Sequence, residues 1–94
     1  MKKPYTDALH NPIITEDVQL AIQVILYRTD RSISPMGLNR STRFGIGKAS
    51  NILTLLCDAG VVSKKYPGGY RMVLLRNQDQ AINAALRQLK KGRK

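Results

Sequence analysis

The sequence predicts a mostly α domain with a small β-hairpin, a winged helix-turn-helix with an additional C-terminal helix. Three observations lead there. An apolar helical pattern stops at Gly60, and glycine is the residue that closes a helix end in a left-handed conformation without a Cβ clash. Val61-Val62, the turn signal Pro67-Gly68-Gly69 and the run from Tyr70 to Leu75 then outline a hairpin with Lys64 and Lys65 near its tip. Upstream, Leu38 lies six residues before Phe44, and Phe44 lies sixteen before Gly60, which is helix-turn-helix spacing.

Residues 1–14 contain two prolines and no apolar period, so they read as an arm. Thr15 suits an N-cap, with Glu16 and Asp17 in the electropositive first turn. Val18, Ala21, Ile22 and Ile25 recur at helical spacing and predict a first helix to about residue 28. Leu20, Val24 and Leu26 lie off that stripe, leaving this helix apolar over more than half its circumference. Thr29 to Ser32 reads as a connection. Ser34-Pro35 starts a second helix, because serine caps and proline lacks only a donor that would be unpaired there. That helix runs to about Thr42, with Met36 and Leu38 as its apolar contacts and Phe44 in the turn. A third helix starts between Gly45 and Lys48 and ends at Ala59, with Ala49, Ile52, Leu53 and Leu56 inward. Asn77 or Asp79 caps a last helix to about Leu89, whose stripe is Ile82, Ala85, Leu86 and Leu89. The division is therefore an arm (1–14), a winged helix-turn-helix domain (15–76), a C-terminal helix (77–90) and a basic tail (91–94).

Ninety-four residues make one small domain that buries roughly 60–65% of its unfolded surface. Without tryptophan and with a single phenylalanine, its core must be built from Ile, Leu and Val. No segment approaches the ~20 apolar residues of a membrane span, and no signal-peptide pattern opens the chain. Cys57 is the only cysteine and lies in an apolar helical pattern, so it reads as a small buried residue of a cytoplasmic protein.

The net charge is +10, and its distribution matters more than its sum. Between Arg31 and Arg76 stand eight basic residues and one acid, Asp58, a net +7 inside the predicted helix-turn-helix and hairpin. A polyanion is the expected partner, and the density of phosphates makes double-stranded DNA the leading one. A membrane surface fits less well, because the basic residues do not share a helix with a strongly apolar face.

Other chemistries find little support. Gly45-Ile46-Gly47-Lys48-Ala49 fails the phosphate-loop pattern, since Thr42 stands where its first glycine belongs and Ala49 where Ser or Thr would hold magnesium. His10 is the only histidine, which leaves no metal-ligand set. The six acids are scattered, and no catalytic constellation forms. The expectation is a non-enzyme without cofactor.

Reading base edges requires short donors and acceptors on the N-terminal outward face of the third helix. Lys48, Ser50 and Asn51 have the right chemistry, with Thr54 one turn further. Gly45 and Gly47 leave room for backbone approach, and a helix N-terminus attracts phosphate. Arg40, Ser41, Thr42 and Arg43 are placed near the DNA backbone, as are Lys64, Lys65, Tyr66 and Arg71 of the hairpin; such contacts position without specifying.

From Ile33 to Leu75 the chain resembles bacterial winged-helix transcription regulators. The run Val61 to Arg71, with Pro67-Gly68-Gly69-Tyr70-Arg71, is similar to the wing of the iron–sulfur-sensing repressors. Arg43-Phe44-Gly45-Ile46-Gly47 and Gly60-Val61-Val62-Ser63 resemble the DNA-reading winged helix of septal DNA translocases. With Cys57 alone, the repressors' cluster does not carry over. The resemblance implies a winged-helix fold and duplex binding, and the function expected is that of a small transcriptional repressor or autoregulator of a bacterium, plasmid or phage, in the cytoplasm at the nucleoid. Two alternatives use the same basic surface: a DNA segregation or architectural protein, and an RNA-binding accessory protein. Only Tyr66 and Tyr70 lie near that surface, short of the multi-aromatic platform usual for single strands. The last helix, through Ile82, Ala85, Leu86 and Leu89, is expected to form a homodimer, since both terminal helices carry more apolar surface than so small a core needs.

Overall fold

The computed structural model describes residues 5–6, 9, 11–27 and 31–92. In chain order they form α1 (Thr15–Tyr27), β1 (Ser32–Ile33), α2 (Pro35–Thr42), α3 (Ile46–Asp58), β2 (Arg71–Met72) and α4 (Gln78–Gly92). The expectations for residues 28–30, for His10 and for the last two residues lie outside the described part.

The helices begin and end where local chemistry dictates. The Ser34 hydroxyl accepts from the Gly37 amide at 3.1 Å, with Pro35 in the first turn of α2. Asn77 caps α4, its Oδ1 accepting from Gln80 N at 3.0 Å, and α4 runs one turn past Leu89 into the expected tail. Thr15 is not a cap. The carbonyl of Ile14 takes the amides of Asp17 and Val18, so Thr15 is the first helical residue. At the end of α3, Gly60 N donates to Cys57 O and Val61 N to Leu56 O, with Gly60 at φ 81°. This is the paired closure of a Schellman motif, and its usual apolar clasp is present: Leu56 and Val61 are both buried.

All described core residues are apolar, and no charged or polar residue among them is buried. α3 supplies Ala49, Ile52, Leu53 and Leu56 as its sequence predicts, and Leu55 joins them. Val18, Ala21, Ile22 and Ile25 of α1 are buried as expected. In α2 Leu38 alone is buried, while Met36 is 53% exposed rather than a core contact. Cys57 is half-buried at the core edge. α4 packs mainly on α1, and its inner line is Ala81, Ala85 and Leu89. Ala85 and Leu89 are thus buried inside their own chain, which corrects their assignment to a dimer interface. Ile82 and Leu86 are half-buried against the same core.

The β structure is smaller than expected and has an additional member. Instead of pairing only within a hairpin, β2 pairs antiparallel with β1, Ser32 opposite Met72 and Ile33 opposite Arg71. The residue that closes the expected connection, Ser32, therefore opens a strand. The expected strand Val61-Val62 is reduced to one bridge, Val62 with Val73. Beyond it, Ser63 N donates to Met72 O and Tyr66 N to Tyr70 O, both at 2.8 Å. The Gly69 amide returns to Tyr66 O at 3.0 Å across Pro67 and Gly68, the latter at φ 98°, the signature of a type II turn.

A Cβ at Gly60 would meet no atom within 4 Å, so only its backbone conformation is at stake there. Gly60→Ala should lower unfolding stability by about 1–2 kcal/mol in urea titration, and Gly60→Asn by less, because asparagine tolerates the left-handed region.

Candidate nucleic-acid interface

The turn joining α2 to α3 is held by its own polar groups. Arg43 takes the left-handed conformation at φ 58°, and its amide closes on Asn39 O. The side chain of Asn39 accepts from Gly45 N at 2.8 Å. Thr42 Oγ1 donates to Leu38 O at 2.8 Å and faces the Phe44 amide, so this hydroxyl finishes a helix. Phe44 leans into the core. Gly45 stands at φ 92°, and no side chain caps the first turn of α3. That open N-terminus carries the positive end of the helix dipole. Arg40, Ser41 and Arg43 are exposed around it. Asn39 is a member of this corner that motif reasoning did not single out; its Asn-Arg-Ser-Thr-Arg context reads equally well as a solvated helix end.

Along α3, Ile46, Ser50 and Thr54 are spaced by four and share the line that faces away from the core, with Gly47 beside them. Thr54 Oγ1 donates back to Ser50 O. The other two residues expected to read bases have partners inside the chain. Lys48 forms an ion pair with Asp17 of α1 and lies 4.6 Å from the centroid of the Phe44 ring. Asn51 Nδ2 donates to the carbonyl of Thr6 at 2.7 Å.

That second contact comes from the arm, whose described residues Tyr5, Thr6 and Ile13 are docked. Thr6 bridges to Pro12, Ile13 N donates to Tyr5 O at 3.0 Å, and Ile13 is buried. The Tyr5 hydroxyl donates to the Asp58 carboxylate at the end of α3 and accepts from Gln88 Nε2 of α4 at 2.9 Å. Tyr5 thereby pins arm, α3 and α4 together. Burial first, then the Asp58 hydrogen bond, push its phenol above the ordinary tyrosine value, while the Gln88 contact works the other way.

The hairpin presents Lys64, Lys65 and Tyr66 exposed at its tip. Arg71 is half-buried and braces the hairpin instead, Nη1 donating to Ser63 O at 3.1 Å. Tyr66 and Tyr70 stack, ring centroids 5.4 Å apart and 17° from parallel. Among the described residues no three of His, Cys, Asp or Glu gather as metal ligands, and no helix is long and apolar enough to cross a membrane. No family model, curated protein or solved structure matches this chain.

Tyr5 ties stability to pH in one direction. Its raised folded value means that the unfolded chain ionises first, so the contribution is complete below about pH 10 and is lost as pH climbs through the folded value. Tyr5→Phe should cost about 1 kcal/mol at neutral pH and remove that part of the alkaline decline, as read from thermal melts between neutral and strongly alkaline buffer.

Proposed function

We propose that this chain is a sequence-specific duplex DNA-binding protein of the winged helix-turn-helix type, acting as a small transcriptional repressor or autoregulator at the nucleoid. The observation that carries this reading is the outward line of exposed Ile46, half-buried Ser50 and exposed Thr54 on a helix whose opposite side is fully buried. It starts from an uncapped N-terminus flanked by Arg40 and Arg43. Ser50 offers a short donor and acceptor to base edges, and Thr54, whose Oγ1 donates to Ser50 O, a short acceptor. The exposed cations Arg40, Arg43, Lys64 and Lys65 lie on the segments that enter and leave α3, where they suit phosphates on either side. Lys48 and Asn51, whose side chains already have partners, hold the reading helix to α1 and to the arm.

In this reading the second copy of the chain pairs through α1. Leu20 is 41% and Tyr27 90% exposed, and with Val24 they line a groove of about 500 Å³ completed by Gln23, Leu26 and Gln78. The groove lining is uncharged on a chain of net +10, so it adds no like-charge repulsion of its own between two copies. Two half-sites about one helical turn apart would then be contacted together.

Binding to duplex should weaken steeply with salt, and Arg43→Ala and Lys64→Ala should each reduce the log–log slope by about 1 while affecting all sequences alike. Thr54→Ala should instead relax preference at one position, at a cost of roughly 1–3 kcal/mol for the preferred base. Selection from a random duplex pool checks both. A pool that enriches no motif removes sequence specificity and leaves an architectural protein; retention of structured RNA over duplex DNA overturns the DNA assignment.

Leu20→Glu combined with Tyr27→Glu should leave the fold intact, since both residues are exposed, and shift the protein to monomer in sedimentation velocity. A wild type that is already monomeric at high micromolar concentration overturns the α1 pairing.

A further inference from the structure

On the hairpin lies a second groove, of about 650 Å³, lined by Arg31, Tyr66, Met72, Val73, Leu74 and Arg76. Its size falls in the range of small-molecule and nucleotide sites. The sheet builds it. Val73 N donates to Arg31 O at 2.8 Å, which fixes Arg31 beside the floor residue Val73. Leu74 is 56% exposed and Tyr66 44% exposed, so an aliphatic and an aromatic surface stand open to solvent within one concavity. The Tyr66 ring is backed by Tyr70, stacked on one of its faces. Both guanidinium groups, Arg31 and Arg76, are exposed, and neither has an ion-pair or hydrogen-bond partner among the described residues.

A purely apolar ligand would leave two cations unanswered, and a bare anion would leave the ring and Leu74 unused. An apolar planar group joined to a phosphate satisfies both. We propose that this groove takes an unpaired nucleotide of a strand leaving the duplex, its base on Tyr66 and Leu74 and its phosphate at Arg31 and Arg76. This rests on the duplex-binding reading above, because Lys64 and Lys65 would lead the strand directly to Tyr66. The preferred nucleic acid is then a duplex with a frayed or single-stranded end rather than a blunt one. Base–aromatic stacking and bidentate arginine–phosphate contact supply the difference.

The test measures fluorescence anisotropy with a blunt duplex, the same duplex bearing a short thymidine overhang, and the overhang strand alone. Wild type is compared with Arg31→Ala/Arg76→Ala and with Leu74→Asn, each checked for native circular dichroism. The overhang should tighten binding by about tenfold, consistent with the stacking of one base, and both variants should lose that increment while keeping most blunt-duplex affinity. No gain from the overhang overturns the proposal, as does equal loss on blunt and overhung duplex, or competition by polyglutamate as effective as by the overhang strand. Failure to bind blunt duplex with retained, variant-sensitive binding of the overhang strand overturns the duplex reading alone and supports the groove.

Discussion

The carbonyl of Leu56 accepts from Val61 at 2.8 Å and from Val62 at 3.3 Å, and the placement of the whole hairpin depends on that closure. Without a left-handed residue at Gly60 the chain would leave α3 along the helix axis, and the two valines could not fold back under the helix. With it, Val61 and Val62 enter the core, the Val61 carbonyl receives Leu74 and Leu75, and β2 is delivered to β1. A single backbone reversal thus couples the end of the exposed helix to the basic tip. Buried valines of this kind contribute roughly 1.5–3 kcal/mol each by removal from water, enough to hold a sheet whose regular strands are only two residues long.

The opposite end of α3 is governed by polar bracing rather than burial. Arg43 and Gly45 both take positive φ, and Asn39 ties the turn with a side-chain bond. These contacts set where the first turn of α3 points, while leaving its amides without a side-chain cap. Along its flanks α3 is tethered twice more, by Lys48 to Asp17 and by Asn51 to the arm. The outward face is consequently a narrow line between two sets of tethers. A protein built to keep that line rigid has a use for each of them, since ordering a helix before it meets a partner lowers the entropic cost of the encounter.

Much of this was legible in the sequence. Ser34-Pro35, Asn77 and Gly60 mark helix ends through groups within a few residues of one another, so local chemistry was sufficient. The inward stripe of α3 followed from periodicity alone, because an amphipathic helix has one way to face a core. The arm was not legible. Tyr5 meets Asp58 and Gln88 across more than fifty and eighty residues of chain, and nothing near Tyr5 announces those partners. β1 escaped notice for the same reason: a two-residue strand has no period, and only β2 reveals it.

Sequence alone determined the order of the four helices, the helix ends at Ser34, Gly60 and Asn77, the aliphatic core and the concentration of positive charge between Arg31 and Arg76. Each is a property of neighbouring residues or of composition. Tertiary structure decided which cations stay exposed and which are held inside the fold, leaving Arg40 and Arg43 exposed while Lys48 is paired and Arg71 braces the hairpin. It also decided that Ala85 and Leu89 face their own core and that the surplus apolar surface lies on α1. The physical reason is common to both. A helical stripe or a charged side chain carries its chemistry from the sequence, but its partner is chosen by which distant element packs against it.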